Sequence, residues 1–141
     1  MNTNTPARLY ATVVGAVLVI AGILGFFYNA KFSSDPAVRD DVLGILSVNG
    51  WHNIVHLATG LLGLALARSA AREYSLGLGL VYLVVAIWGF AIGSGESILS
   101  IVPVNSADNV LHLALGLAGL GAGLATPRPA GARSAPAAAT R

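Results

Sequence analysis

VNGWHNIVHLATGLLGL, residues 48–64, and VNSADNVLHLALGLAGL, residues 104–120, are one pattern written twice. The offset is 56 throughout, and 10 of the 17 positions are identical, among them Asn49, Asn53, His56, Gly60 and Gly63. Self-similarity at a fixed spacing marks a repeated structural unit. The residues preceding each copy also echo one another, Gly25-Phe26 against Gly89-Phe90, with the first intervening loop eight residues longer. Two helical hairpins of one design are therefore expected, running in the same sense, with a pseudo-two-fold axis along a membrane normal.

The membrane enters through composition. Of the 141 residues 55% are hydrophobic and 10% charged, against about a quarter charged in soluble domains, and the mean hydropathy is +0.74. Apolar runs of about 20 residues match a hydrocarbon core of roughly 30 Å. Four such runs are present, at about 9–28, 50–67, 74–93 and 106–125. The first has Arg8 at its start like a secretory signal, but its core is too long and Phe27-Tyr28-Asn29-Ala30 is a poor cleavage site. The expected fold is an all-α membrane protein, a left-handed bundle of four transmembrane helices made of two repeated hairpins, over residues 8–125. Residues 1–7 read as a flexible N-terminus. The Pro/Ala/Arg-rich stretch 126–141 reads as a disordered tail.

Each helix carries a seam of small or polar residues at alternating spacings of three and four: Ala11, Gly15, Leu18, Gly22, Gly25; then Asn49, Asn53, His56, Gly60, Gly63, Ala67; then Ser75, Gly79, Tyr82, Ala86, Gly89, Gly93; then Asn105, Asn109, His112, Gly116, Gly119, Gly123. A mean spacing of 3.5 keeps a stripe on its partner in a left-handed bundle. Small residues let helix backbones approach where lipid removes the hydrophobic drive. The second and fourth helices are expected to meet along these glycine edges, bringing His56 and His112 into one pocket. Trp51, Trp88, Tyr10, Tyr28 and Tyr74 fall near span ends and read as interface anchors.

Charge sets the orientation. Arg8, Arg68, Arg72, Arg128, Arg133 and Arg141 fall on one side of a four-span topology, and only Lys31 and Arg39 on the other. The positive-inside rule then puts both termini in the cytoplasm, in a multi-pass protein of the plasma membrane. A net charge of +2 is too small to argue for nucleic acid, and the absence of cysteine removes disulfides and thiolate sites.

The polar residues at the outer ends of the second and fourth helices carry what chemistry there is. Asn49 and Asn105 read as N-caps, and Asp108 suits the positive end of a helix dipole. Asn53, His56, Asn109 and His112 lie on the seams and should face protein. Three readings of this group stand side by side. In the first, the Asn/His/Asp cluster is a hydrogen-bonded clasp that braces the bundle. In the second, the i, i+4 pairs His52/His56 and Asp108/His112 present four ligands for a divalent, zinc-like metal. In the third, His56 and His112 hold haem b. No P-loop, HExxH or GxSxG occurs, so no catalytic residue is expected.

The paired motifs, Asn49, His52, Asn53, His56 and then Asn105, Asp108, Asn109, His112, resemble those of a family of small bacterial four-helix membrane proteins catalogued as a domain of unknown function. The resemblance covers residues 8–125 and implies the fold and a membrane location, without an activity. The function expected is that of a non-catalytic membrane module whose outer cluster braces the bundle or supports assembly, with itself as a homo-oligomer or with other membrane proteins. The alternative is a metal- or haem-binding protein with a redox or ion-handling role.

Overall fold

Thr5 accepts a hydrogen bond from the Arg8 N–H through its side chain, and Pro6 fills the first turn; together they start helix α1 (Pro6–Tyr28) in this computed structural model, which describes residues 4–128. Asn49 and Asn105 cap α2 (Gly50–Leu66) and α4 (Ser106–Ala125), each accepting from the backbone N–H three residues on. Between them α3 (Ala71–Ile92) follows a tight turn. The helices α1, α3 and α4 are long and apolar enough to cross a membrane. Outward side chains such as Val13, Ile20, Val81, Ile87 and Leu117 are more than half exposed, a surface suited to lipid rather than water.

The two long loops, between α1 and α2 and between α3 and α4, are not irregular. Each contains a small antiparallel hairpin: β1 (Asp40–Val42) with β2 (Leu46–Val48), and β3 (Ser97–Ile98) with β4 (Val102–Pro103). Both turn through two consecutive residues with positive φ, Leu43-Gly44 and Leu99-Ser100, and both are closed by a backbone bond across the turn. The register, Val42 opposite Leu46 and Ile98 opposite Val102, leaves a three-residue loop in each hairpin, and positive φ at its first two positions turns the chain back on itself. The two turns stand 56 residues apart, the spacing of the sequence motif.

The helices pack as antiparallel pairs, α1 with α2 and α3 with α4, while α1 also touches α3 and α4. Here one expectation is corrected. The glycine edges of α2 and α4 do not face each other. A Cβ on Gly60 would stand 2.7 Å from Gly15 O and Val19 N of α1, and one on Gly79 of α3 would stand 2.7 Å from Leu120 N of α4. Gly60 against Gly15 and Gly79 against Gly116 close each helical hairpin on itself, whereas Gly63 lies against Tyr74 and Gly119 against Tyr10 of the other hairpin, and larger side chains occupy the space between hairpins. Tyr10, Val14, Leu18, Tyr74, Leu78 and Tyr82 fill it.

Two tyrosines expected at the membrane interface belong to that core. Tyr10 and Tyr74 are 6% and 5% exposed. Their hydroxyls donate to Leu115 O at 2.9 Å and Thr59 O at 3.0 Å, main-chain acceptors on other helices. A phenol with a reachable acceptor can be buried, whereas an unpaired one is costly. At the end of the bundle where α1 begins and α4 stops, Thr126 accepts from the Ala7 N–H, and Arg72 donates to Thr126 O. Thr126 and Ala7 are thus part of the folded unit, and most of the two expected flexible ends, 1–3 and 129–141, lies outside the described residues.

Candidate functional site

The N-terminal ends of α2 and α4 are tied together by their own caps. Asn49 Oδ1 accepts from the His52 N–H, and its Nδ2 donates to Ile101 O of the second hairpin at 2.9 Å. Asn105 Oδ1 accepts from the Asp108 N–H, and its Nδ2 donates to Ile45 O of the first hairpin at 2.7 Å. Each cap therefore reaches across to the hairpin of the other half, at positions again 56 apart. Asp108 Oδ2 adds a third tie, accepting from Ser47 N and from Asn105 N, both at 3.0 Å.

Beneath this lid three imidazoles converge. His52 and His112 are buried and His56 is half-buried, and one ring nitrogen from each lies within 4.8 Å of the other two. His52 Nδ1 stands 2.8 Å from Ser47 O. A carbonyl can only accept, so Nδ1 carries the proton and Nε2 presents its lone pair inward. That Nε2 is 3.1 Å from His56 Nε2. His112 comes from the opposite hairpin, its ring centroid 6.1 Å from His52 and 6.4 Å from His56. Tyr82 stacks on its other face at 5.0 Å, and its Nδ1 is buried without a hydrogen-bond partner.

A family model described as Domain of unknown function (DUF4383) matches residues 8–125. The chain belongs to the DUF4383 family. No curated protein and no solved structure matches it. The match in this DUF4383 protein takes in all four helices and both hairpins, and with them every residue of the outer cluster.

Of the four ligands expected from the DUF4383 sequence, the fold brings three together. His56 and His112 meet, although the α2 and α4 backbones approach each other little. His52 joins them, one turn above His56. Asp108 does not enter the nitrogen cluster; its Oδ2 is engaged by two backbone N–H groups of the lid. The asparagines divide likewise. Asn53 Nδ2 donates to Asn29 O at 2.8 Å, closing the end of α1, while its amide lies against Gly25. Asn109 lies in the same way against Gly89. Both Oδ1 atoms are buried without a hydrogen-bond partner. Sequence reasoning missed Ser47, whose carbonyl orients His52 and whose N–H holds Asp108. A serine in a loop gives no signal of either role.

Removing the Asp108 carboxylate leaves the buried Ser47 N–H unpaired, and an unpaired buried donor costs about 1–3 kcal/mol. Asp108→Ala is therefore expected to destabilise the protein by about 2 kcal/mol, and Asp108→Asn by less, because an amide oxygen still accepts. Thermal unfolding in detergent measures both. Equal melting of Asp108→Ala and wild type would show that the lid contributes nothing.

Proposed function

We propose that this DUF4383 protein is a four-span, non-catalytic membrane protein whose three-histidine site takes up a divalent metal ion of the zinc class. The observation that carries the reading is the convergence of His52, His56 and His112 nitrogens within 4.8 Å. Zinc–imidazole bonds of about 2.0–2.1 Å put tetrahedral ligand nitrogens roughly 3.3 Å apart. The 3.1 Å between the His52 and His56 nitrogens already lies near that value, and on metal binding His112 would close the remainder of the 4.8 Å spread. The Ser47 carbonyl on His52 Nδ1 is the kind of outer partner that fixes the tautomer of a metal-binding histidine. Three protein ligands leave a fourth position open. Haem is disfavoured, since the His52 ring, 4.4 Å from His56, occupies the space a macrocycle would need. Asn49, Asn105 and Asp108 keep the bracing role.

The fourth span is α2. Its 17 residues are about 25 Å long, slightly less than a hydrocarbon core. It runs antiparallel to α1, Gly60 beside Gly15 and Asn53 beside Gly22 and Gly25. If α1 crosses, α2 crosses back. The equivalent contacts of Gly79 and Gly89 in the other half, together with the matching hairpin turns, support a duplicated hairpin. The arginine bias supports cytoplasmic termini. The chain has no cysteine, so single cysteines at Ser33 and Ser69 test the orientation in cells: an impermeant reagent is expected to label the first and spare the second. The reverse pattern would invert the topology.

The metal reading is tested by titrating purified protein with Co(II), a spectroscopic stand-in for zinc. One ion per chain, with the visible absorption of a tetrahedral site, is the expected outcome. Failure to bind Co(II) or Zn(II) at micromolar concentration would leave only the clasp.

A further inference from the structure

We propose that the three-histidine site receives its ligand sideways from the bilayer, and that this ligand is a lipid-soluble phenol or quinol. The proposal rests on reading the histidine cluster as the functional site. The aqueous side is closed. Ser47, Val48, Pro103 and Val104 in the second strands and beyond are buried, and the reciprocal asparagine bonds hold both hairpins down over the imidazoles.

A cleft of about 220 Å³ reaches the same imidazoles from the side. Its walls are apolar, with Ile20, Ala21 and Leu24 on α1 and Leu46 on β2, and its polar end is His52, His56 and Asp108. Ile20 is 56% and Leu24 48% exposed, on a helix suited to cross a membrane. The mouth therefore opens among acyl chains. His56, the half-buried imidazole of the three, is the one nearest access.

Shape and charge select the occupant. An apolar cavity of about 150 Å³ accepts a benzene ring, so this cleft holds one substituted six-membered ring, with an alkyl tail leaving past Ile20 and Leu24. The polar end offers the Asp108 carboxylate as an acceptor, joined by the imidazole nitrogens when no metal is bound, and a neutral hydroxyl satisfies either as donor. A fatty carboxylate would bring a second negative charge beside Asp108. A phenolic oxygen also suits the open coordination position of a zinc-class ion.

The test uses full-length protein in lipid nanodiscs, with and without Co(II), titrated with a decyl-substituted hydroquinone. The expected result is a rise in Tm by mass action and, with metal present, a change in the Co(II) absorption. Ala21→Phe, which fills the cleft, is expected to weaken both at least tenfold while Co(II) uptake stays at one per chain. Leu46→Trp narrows the opposite wall and should act alike, so a folding failure in one variant leaves the other decisive. A thermal shift that is lost in Ala21→Phe but needs no Co(II) supports the occupant and removes the metal. The proposal is overturned if the hydroquinone leaves wild-type Tm unchanged, if both variants respond as wild type does, or if palmitate displaces it.

Discussion

His112→Ala is expected to weaken Co(II) binding by more than about 100-fold, because removing a mere outer partner of a metal ligand already costs about 10–100-fold. His56→Ala should do the same, and His52→Ala should also release the Ser47 carbonyl from its donor. A loss of binding alone would not separate a metal site from a clasp that collapses. His56→Gln does separate them. Glutamine keeps a hydrogen-bonding side chain facing His52 but is a poor ligand for zinc-class ions. In the metal reading the variant melts near metal-free wild type and gains nothing from added metal. Wild type, by contrast, gains about 2.7 kcal/mol when free metal stands at 100 times its Kd. The ligands must also be deprotonated to bind, so affinity should fall on acidification. If His112→Ala and wild type bind Co(II) alike, the cluster is not the site.

What could be read beforehand, and what could not, follows from the kind of signal each residue gives. A repeat of 17 residues with paired histidines is a property of sequence alone, and it led directly to His56 and His112. The seam spacing showed that one stripe of α2 meets a helix, but a stripe does not name its partner. Glycines bring together backbones that are already neighbours in a hairpin, so Gly60 met Gly15 and not α4. The imidazoles met nonetheless, being long enough to span the gap that the seams leave between hairpins. Tyr10 and Tyr74 misled because aromatic position near a span end says nothing about a main-chain acceptor on another helix. The outer hairpins were illegible for another reason. Leu43, Leu99 and Ser100 adopt positive φ, a conformation that leucine and serine do not advertise. Asp108 looked like a ligand at i, i+4 from His112 because the sequence could not display the Ser47 N–H that engages it.

Gly60→Ala is expected to cost about 3 kcal/mol, the upper end for overpacking a well-filled site. The new methyl would lie 2.7 Å from Gly15 O and from Val19 N, and 3.0 Å from Leu18 Cβ. Two of these three atoms are main chain, so no side-chain rotation relieves the overlap and α1 must move off α2. Gly79→Ala meets Leu120 N at 2.7 Å and Gly116 O at 3.0 Å and should behave alike in the other half. Gly77 and Gly121 supply the contrast, since a Cβ on either meets nothing within 4 Å. There alanine should be neutral or stabilising by up to about 1 kcal/mol, the helix-propensity difference. Thermal unfolding of the four variants gives the order. The same separation reaches the site, because α1 and α2 moving apart shifts His56 away from His112. Gly60→Ala should therefore also weaken Co(II) binding, although the glycine lies a turn from the nearest imidazole. If Gly60→Ala melts with Gly77→Ala, the helices do not make the approach on which the depth and meeting of the imidazoles depend.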